Sequence, residues 1–333
     1  MGRWFLLPLI FGALAWPAAA LGVDCRPPSG YSPCIDSDSL WLPAGAGRFT
    51  ALESSEVPKL YEVGLSLTLE HTGPSLVLRV PGPDLGGREA PLVQRALEQA
   101  MAVRMGLGGQ WEVGATLATV LWQRGAGPSA ITTQSGPALE RSAVRDPRVS
   151  LARHIAVGSE VVLKPRLELT LPLGDSAAYA SHGSSVVAPA VSAEWHRGRL
   201  GVALELGLRL RPAVEFGTTR SGSQLTSGAG VLVGIVVQRL WLTTELFALP
   251  SLIDTTSRRG RQVGSRVRLL PAEWLFSVHA RPAANQPWTL LLAGGAGVSL
   301  SRDSGELASS RFVAPSTPAW RALFAVRYAP GGS

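Results

Sequence analysis

Residues 184–212 read SSVVAPAVSAEWHRGRLGVALELGLRLRP. From Arg199 to Arg211, apolar residues occupy every second position, and charged or small side chains fill the positions between them. A period of two over that length predicts a β-strand with one apolar and one polar face. Soluble sheets use strands of about five or six residues, whereas a strand that crosses a membrane needs about 9–11. The apolar positions are Leu200, Val202, Leu204, Leu206, Leu208 and Leu210.

The first half of the same stretch predicts a partner strand over 187–195. Only His196, Arg197 and Gly198 separate the two strands, which indicates a hairpin with a tight turn. A long hairpin that is apolar outside and charged inside is the repeat unit of an outer-membrane β-barrel.

Similar alternation recurs along the chain, and its connections are alternately long and short. This pattern is typical of a barrel with tight turns at one end and longer loops at the other. It predicts an all-β fold, an antiparallel transmembrane up-and-down β-barrel of about twelve strands, in preference to a soluble sandwich or barrel. The predicted strands are 61–69, 93–107, 111–123, 149–157, 161–173, 187–195, 199–211, 225–237, 240–249, 267–280, 288–300 and 319–328.

Two of these strands carry an irregularity. Pro165 interrupts the strand 161–173, although proline cannot donate a hydrogen bond to a β-ladder. The apolar face changes sides at Pro271, which predicts a β-bulge within 267–280.

The composition agrees with a glycine-rich β-protein. Of 333 residues, 17% are charged and 46% are apolar, against about 25% charged in soluble proteins. The net charge of +7 is carried almost wholly by arginine, since lysine occurs only at positions 59 and 164. These arginines are dispersed and lack an aromatic-interleaved basic patch, so we expect no nucleic-acid partner.

The N-terminus predicts export. Arg3, an apolar run and the small residues Ala18–Ala20 have the order of a secretory signal peptide. An exported chain meets an oxidising compartment, so Cys25 and Cys34 are a candidate disulfide; a metal pair is the alternative, but further ligands are lacking. The predicted domains are a signal peptide at 1–21, an N-terminal periplasmic segment at 22–58, a barrel at 59–330 and a short tail at 331–333.

The run Asp36-Ser37-Asp38 lies in that N-terminal segment. It lacks the other ligand positions of a calcium loop, and we expect a solvated turn there. The glycines of 228–234 and 294–297 lie within predicted strands, where we expect them to make room inside the barrel.

Motifs for catalysis are absent, and we expect no cofactor, metal or catalytic residue. The sequence has no G-x-S-x-G elbow, H-E-x-x-H pair or Walker loop. His279 near Glu273 is the one pair that could serve a barrel hydrolase as base and orienter. An outer-membrane enzyme that acts at the barrel rim is therefore an alternative of low weight.

The charges on the polar faces of the strands are the main candidate site. They predict either a lumen of paired acids and bases that fixes register, or a polar conduit whose Arg-rich end favours anions. At about twelve strands the interior can exceed what side chains fill, though loops could plug it. The predicted lumen-facing charges are Glu112, Lys164, Arg166, Glu168, Glu205, Arg209, Arg211, Glu245, Glu273, His279, Arg321 and Arg327.

Four short motifs occur in a fixed order along the chain: Cys34-Ile35-Asp36 with Leu40-Trp41, Arg145-Asp146, Pro271-Ala272-Glu273-Trp274 and Arg327-Tyr328-Ala329-Pro330. Taken together, they resemble the outer-membrane barrel module of Gram-negative proteins labelled "OmpA family". That resemblance implies an outer-membrane barrel over nearly all of the mature chain. The chain ends at 331–333 without the peptidoglycan-binding domain of longer relatives, so we do not expect cell-wall anchoring.

These features together predict a passive, porin-like channel or a structural barrel with a charged lumen. A protein whose loops bind a partner is a further alternative. The expected partners are outer-membrane lipid, lipopolysaccharide and the barrel-assembly machinery, and the sequence leaves the oligomeric state open. Arg258, Arg259 and Arg261, in one loop, are candidates for contact with lipopolysaccharide phosphates.

Overall fold

The computed structural model describes residues 25, 32–45, 47–80, 88–127, 138–216, 219–253, 270–299 and 317–330. Twelve antiparallel strands form a closed up-and-down barrel, which confirms the predicted fold. The strands are β1 (Val63–Thr72), β2 (Arg95–Gly108), β3 (Trp111–Arg124), β4 (Arg148–Arg153, resuming at Ile155–Val157), β5 (Val161–Thr170), β6 (Val186–Arg197), β7 (Leu200–Arg209), β8 (Gln224–Val236), β9 (Leu240–Ala248), β10 (Pro271–Ala280), β11 (Trp288–Ser299) and β12 (Arg321–Tyr328).

The barrel closes between its first and last strands. β1 pairs with β12 from Leu65↔Tyr328 to Thr72↔Arg321, and every other strand pairs with its sequence neighbours. One end, the short-turn end, carries the tight connections β2–β3, β4–β5, β6–β7, β8–β9 and β10–β11. The opposite end, the long-loop end, carries the other connections, including the small hairpins Leu76–Val80 with Arg88–Val93 and Val214–Phe216 with Thr219–Ser221.

The hairpin β6–β7 shows how the alternation is used. Its last pair is Arg197↔Leu200, so the turn is Gly198-Arg199 rather than the predicted 196–198. Gly198 has φ 62°, which suits the first central residue of a tight hairpin turn. On β7, Leu204 and Leu206 are 55% and 59% exposed, whereas Ala203 is buried. The apolar face of the strand therefore faces outward and the polar face inward.

Two local irregularities interrupt the regular pairing of the strands. β4 is interrupted at His154, and its ladder with β5 skips Lys164 and Pro165, consistent with the absence of an N–H on proline. The register of β2 with β3 shifts between Leu97 and Glu98, where Leu121 of β3 is left without a partner. This bulge leaves both Leu121 and Trp122 exposed on the outer face.

The predicted bulge at Pro271 stays a prediction, because the part of the strand before it lies outside the described residues. β10 begins at Pro271, with Trp274 and Phe276 exposed and Glu273 and Ser277 buried. Residues 254–269, which include the predicted start of that strand and the loop arginines 258, 259 and 261, lie outside the described residues. So do the predicted signal peptide at 1–21 and the tail at 331–333. No helix in the described ranges is long and apolar enough to cross a bilayer.

Candidate functional site

Residues 32–45 and 47–58, here called the plug, lie inside the barrel. The backbone N–H groups of Thr50, Ala51 and Leu52 donate to the Glu245 carboxylate of β9 at 2.7, 2.8 and 2.9 Å. The Arg327 guanidinium of β12 donates to the carbonyls of Gly47 and Phe49 at 2.8 and 2.7 Å. The described part of the predicted N-terminal segment 22–58 therefore contacts the inner wall of the barrel.

The physical reason for this position is the polarity of the segment. Among the described residues the plug has no regular secondary structure, so its backbone N–H and C=O groups need other partners wherever they are buried. The inward side chains of the wall supply those partners, and Trp241 Nε1 likewise donates to the Arg48 carbonyl at 3.1 Å. The interior of the barrel is thus occupied by the chain's own N-terminal segment.

Near the long-loop end, acidic residues of the plug meet arginines of the wall and loops. Arg145 bridges Asp36 and Glu98, with its Nε 2.6 Å from Glu98 Oε2. Arg321 donates to Asp38 at 2.9 Å and also contacts Glu70 and Glu273. The expectation of a solvated turn at Asp36–Asp38 is therefore wrong, because both carboxylates are enclosed by basic partners.

Halfway along the barrel, a second ionic cluster surrounds Glu53. Its carboxylate accepts from Lys164 Nζ at 2.7 Å and pairs with Arg166. Lys164 also contacts Glu112 at 2.5 Å, and the Glu112 carboxylate lies 3.1 Å from His154 Nε2. His154 keeps the inward phase of β4, two residues after the buried Ala152, and its Nδ1 lies 3.2 Å from the Ser55 carbonyl.

Towards the short-turn end, Glu56 of the plug lies 3.1 Å from Arg48 and 3.4 Å from Arg104 of β2. Arg48 also contacts Glu194 of β6 at 3.3 Å, and Glu194 accepts from the Ser55 N–H at 2.8 Å. The plug therefore contacts inward charges from one end of the barrel to the other.

Most of the predicted lumen charges are gathered in these networks. Arg166 lies 3.2 Å from Glu205, and Arg148 pairs with Glu168 at 2.9 Å. Arg209 donates to the Ser39 carbonyl at 3.1 Å and lies 3.8 Å from the centre of the Trp41 ring. Glu112, Lys164, Arg166, Glu168, Glu205, Arg209, Glu245, Glu273, His279, Arg321 and Arg327 all lie on strands, with their side chains buried or partly buried.

Arg211 differs from the other predicted charges because it lies beyond the end of β7. Its guanidinium donates to the Gly222 carbonyl at 3.1 Å and to Ser221 Oγ at 2.7 Å, and it contacts His182. It thus joins loops at the long-loop end. Arg166 is already paired with Glu53 and Glu205, so the predicted Arg-rich end is not a ring of free guanidinium groups.

Glycines of the wall make room for the plug. A Cβ on Gly114 would lie 2.5 Å from Ala44 Cβ, and one on Gly228 would lie 2.4 Å from Leu52 Cδ2. A Cβ on Gly230 would meet both Leu52 and Phe49. Glycines at these positions therefore leave the space that the plug fills, as expected for 228–234, although the occupant was not foreseen.

The predicted pairing of His279 with Glu273 is not observed. His279 Nε2 lies 2.9 Å from Ser277 Oγ, and its ring stacks on Trp241 at 5.0 Å between centres. Glu273 contacts Ser39 and Arg321 instead. The two side chains have separate partners, so they do not form a base and its orienting group.

The plug is anchored at the long-loop end by the predicted disulfide, which is present between Cys25 and Cys34. The disulfide lies against Gly183, where a Cβ would come within 2.4 Å of both sulfur atoms. Asp146 holds the same loop by accepting from the backbone N–H of Gly174 and of His182 at 2.8 and 2.9 Å.

Burial controls the protonation of this loop. Burial raises the pKa of the Asp146 carboxyl despite its hydrogen bonds. Burial also lowers the pKa of His182 well below 6.5, and the guanidinium groups of Arg211, Arg209 and Arg145 lower it further. His182 is therefore neutral near pH 7.

Sequence reasoning missed the plug itself. A usable signal was present, because the segment combines the carboxylates Asp36, Asp38, Glu53 and Glu56 with large apolar residues such as Leu40 and Phe49. Solvated linkers rarely contain such apolar residues, and the predicted lumen held more basic than acidic side chains. Four of the motifs that carry the family resemblance also meet here, through Asp36 with Arg145, Glu273 near Asp38, and Arg327 on the plug backbone.

No family model matches the chain, and no curated protein matches it in sequence. Its fold is similar to that of an outer membrane channel from Pseudomonas putida F1, with a TM-score of 0.55, 11% identity, and coverage of 83% of this chain and 99% of that chain. The NanC porin is also similar, with a TM-score of 0.48, 10% identity, and coverage of 79% and 98%. The chain therefore has the twelve-stranded barrel fold, and a known outer membrane channel is among the solved structures that share it.

Proposed function

We propose that this chain is a porin-like barrel of the bacterial outer membrane, closed at rest by its own plug, that conducts ions when the plug shifts. The observation that carries the proposal is the ionic contact between plug and wall. Each of the carboxylates Asp38, Glu53 and Glu56 meets a basic wall side chain. When the plug and the wall separate, the charged groups on both sides of this contact can be solvated by water.

The ionic contact between plug and wall favours a plug that can move over a plug that only fills the interior of the barrel. Replacing buried ion pairs with packed apolar side chains is often neutral or stabilising, so a barrel that only needed a filled interior would not require them. The plug is instead held by groups that water can solvate. An interior of this kind supports ion passage after displacement.

The membrane location is proposed from the exterior. Large apolar side chains are exposed along the outward faces of the strands, for example Leu67, Met101, Leu206, Val231 and Leu292 at 44–61% exposure. Soluble monomers rarely expose continuous apolar surface of this extent. Contact with lipid accounts for it.

An open lumen of this barrel would favour anions weakly. When the plug leaves, Arg104, Arg209 and Arg327 lose the plug atoms that they contact. Glu194 and Glu245 lose theirs as well. Lys164, Arg166 and Arg321 also lose plug partners but keep carboxylates of the wall. In the described part of the barrel, the released groups that have no ionic partner on the wall are therefore these three cations and two anions, which is the basis for the weak preference.

The finer assignments belong to the same proposal. Export by a signal peptide, insertion by the barrel-assembly machinery and contact with lipopolysaccharide follow from an outer-membrane location. Membership of the "OmpA family" module rests on the short motifs alone, although those motifs coincide with plug contacts. A channel of this kind needs no enzymatic activity.

Single-channel recording in planar bilayers tests the proposal. The wild type is expected to be mostly closed, and Glu245→Gln to open more often, because the amide presents an NH₂ group to backbone N–H donors. A Thr50→Cys/Ser277→Cys pair added to Glu245→Gln should close the barrel when oxidised and release it when reduced. The hydroxyl oxygens of Thr50 and Ser277 are 2.8 Å apart, so a disulfide fits with a small adjustment.

Reduction also opens the native Cys25–Cys34 bond, so Glu245→Gln without the added cysteines is the matched control. Conductance that rises on reduction only in the cysteine pair supports a moving plug. A large wild-type conductance that the oxidised pair leaves unchanged contradicts the closed state. Silence of every variant contradicts the channel and leaves a structural barrel.

A further inference from the structure

Two arginines lie directly opposite each other on the outer face of the barrel, at the long-loop end. Arg95 of β2 pairs in register with Arg124 of β3, and both side chains are exposed. Their neighbours along the strands, Ala96 and Gln123, are buried. Because successive side chains of a strand point to opposite faces of the sheet, both guanidinium groups lie on the outward face.

A third exposed arginine lies beside this pair. The Arg141 carbonyl accepts from the Gln123 N–H at 2.8 Å, which places the Arg141 backbone next to β3. Arg95, Arg124 and Arg141 are here called the basic rim. None of the three has an ion-pair partner among the residues that the structure describes.

The carboxyl groups nearest to the basic rim have other partners. Glu98, on the inward face of β2, pairs with Arg145. Glu140 and Asp175 share a hydrogen bond, which raises the pKa of the Glu140 carboxyl. Side chains directly opposite in an antiparallel pair have Cβ atoms about 4.5–5.5 Å apart, and like charges there repel. An anion between the two opposed guanidinium groups would relieve that repulsion.

The basic rim lies at the height of lipid headgroups. From Leu97 to Leu107 the outward face of β2 is apolar apart from Gln99. Ten steps of about 3.4 Å along a strand tilted by about 40° span about 26 Å, which matches the apolar band of about 25 Å in outer-membrane barrels. Arg95 is the next outward residue beyond that band. Trp122, opposite Leu97, is exposed just below the two guanidinium groups.

We propose that the basic rim binds a phosphorylated lipid of the outer leaflet. A phosphate lies between Arg95 and Arg124, and the acyl chains lie against Leu97, Leu121 and Trp122. Guanidinium groups bind phosphate oxygens in a bidentate manner, and tryptophan is enriched at the membrane interface. Lipopolysaccharide has this chemistry, because its acylated sugars carry phosphate groups. The proposal rests on the outer-membrane location proposed above, and it does not depend on conduction.

Native mass spectrometry of the full barrel in detergent micelles tests this site by counting bound lipids. The probes are diphosphorylated lipid A, lipid A without its phosphates, and inorganic phosphate. We expect saturable binding of diphosphorylated lipid A, binding at least about tenfold weaker without the phosphates, and no displacement by inorganic phosphate at the same concentration. Arg95→Gln and Arg124→Gln should each weaken binding of diphosphorylated lipid A about tenfold, as expected for loss of one charged hydrogen bond.

Arg153→Gln is the matched control. Arg153 is likewise exposed on an outward position, but it lies at the short-turn end, with its guanidinium carbon 5.5 Å from the centre of the Trp111 ring. Equal effects of Arg153→Gln and Arg95→Gln, or equal binding of the two forms of lipid A, would overturn the proposal. Displacement by equimolar inorganic phosphate would overturn it as well, because the arginines would then bind a free anion. Circular dichroism and the gel mobility of unboiled samples exclude misfolding of the variants.

Failure of this site is distinguishable from failure of the proposed function. The titration records no current, so equal binding of the two lipids by a barrel that conducts in planar bilayers would remove the site and leave the channel. Selective binding by a barrel that never conducts would support the site and leave a structural barrel in the membrane.

Discussion

Gly228 lies on the inward face of β8, directly against Leu52 of the plug. At the scale of single residues, the fit between plug and wall depends on glycines of this kind, which have no side chain, as much as on ion pairs. Interiors packed at native density tolerate added methyl groups poorly. The wall glycines are therefore as much a part of the site as Glu245.

We predict that Gly228→Val loosens the plug. Its Cβ would lie 2.4 Å from Leu52 Cδ2, and overpacking of this kind costs about 1–3 kcal/mol. The amides of Thr50, Ala51 and Leu52 should exchange with solvent about tenfold faster or more, measured by hydrogen–deuterium exchange. Gly234→Val is the matched control on the same strand, because its Cβ would meet only ordinary contacts at 3.5 Å. Equal exchange in the two variants would contradict a tightly fitted plug.

The lowered pKa of His182, at the long-loop end, predicts that the free energy of unfolding depends on pH. Its folded pKa lies well below 6.5, so the unfolded chain binds the proton first as the pH falls. Stability from this group is complete above pH 6.5 and declines as the pH falls towards the folded pKa, by up to about 1.4 kcal/mol per pH unit. The charged groups that face it are Arg211, Arg209, Arg145 and Asp36.

Urea unfolding of the wild type and of His182→Asn, followed across pH 7.5 to 5, measures this contribution. The wild type should lose stability faster than the variant below pH 6.5. Asp146, whose raised pKa acts in the opposite direction, is present in both proteins and cancels in the difference. Parallel stability curves would show that His182 does not titrate on unfolding.

At the scale of elements, the strands were predictable and the connections between them less so. All twelve strands follow from a period of two, because a strand with one face on lipid and one on a polar interior repeats that contrast at every step. The sequence pattern did not predict the break in β4 or the bulge in β3, because each depends on how the strand pairs with its neighbour. Pro165 marks the first only when β4 is known to lie beside it.

The outward face of β7 gives a test of membrane insertion. Leu206→Arg, near the middle of the strand, should cost about 2–4 kcal/mol in a bilayer, whereas Leu200→Arg, beside the turn, should cost about 0–1 kcal/mol. Both leucines are exposed, at 59% and 49%, so a soluble barrel would tolerate either change within about 0.5 kcal/mol. Unfolding free energies measured in lipid vesicles separate the two cases. Equal, small effects would argue against a surrounding bilayer.

At the scale of the whole molecule, the composition of the plug argued against a solvated linker, but its contacts inside the barrel could not be derived from the sequence. Its residues show no period, and its partners are far away in the chain: Asp38 meets Arg321, and Glu53 meets Lys164. The wall charges were predicted individually as inward-facing, but pairing them needs the barrel's curvature and register. The sequence therefore indicated which side chains line the lumen without indicating what fills it.

The seam between β1 and β12 carries a consequence for biogenesis. It joins the first and last strands of the barrel in chain order, so the cylinder can be completed only after β12 has been synthesised. The plug precedes β1 and exists before any strand. If the strands assemble around this early segment, Glu245 and Lys164 pair with the plug as their strands are added. The charged plug then does not have to be inserted into a closed barrel. The N-terminal segment would then act as the form on which the cylinder is shaped.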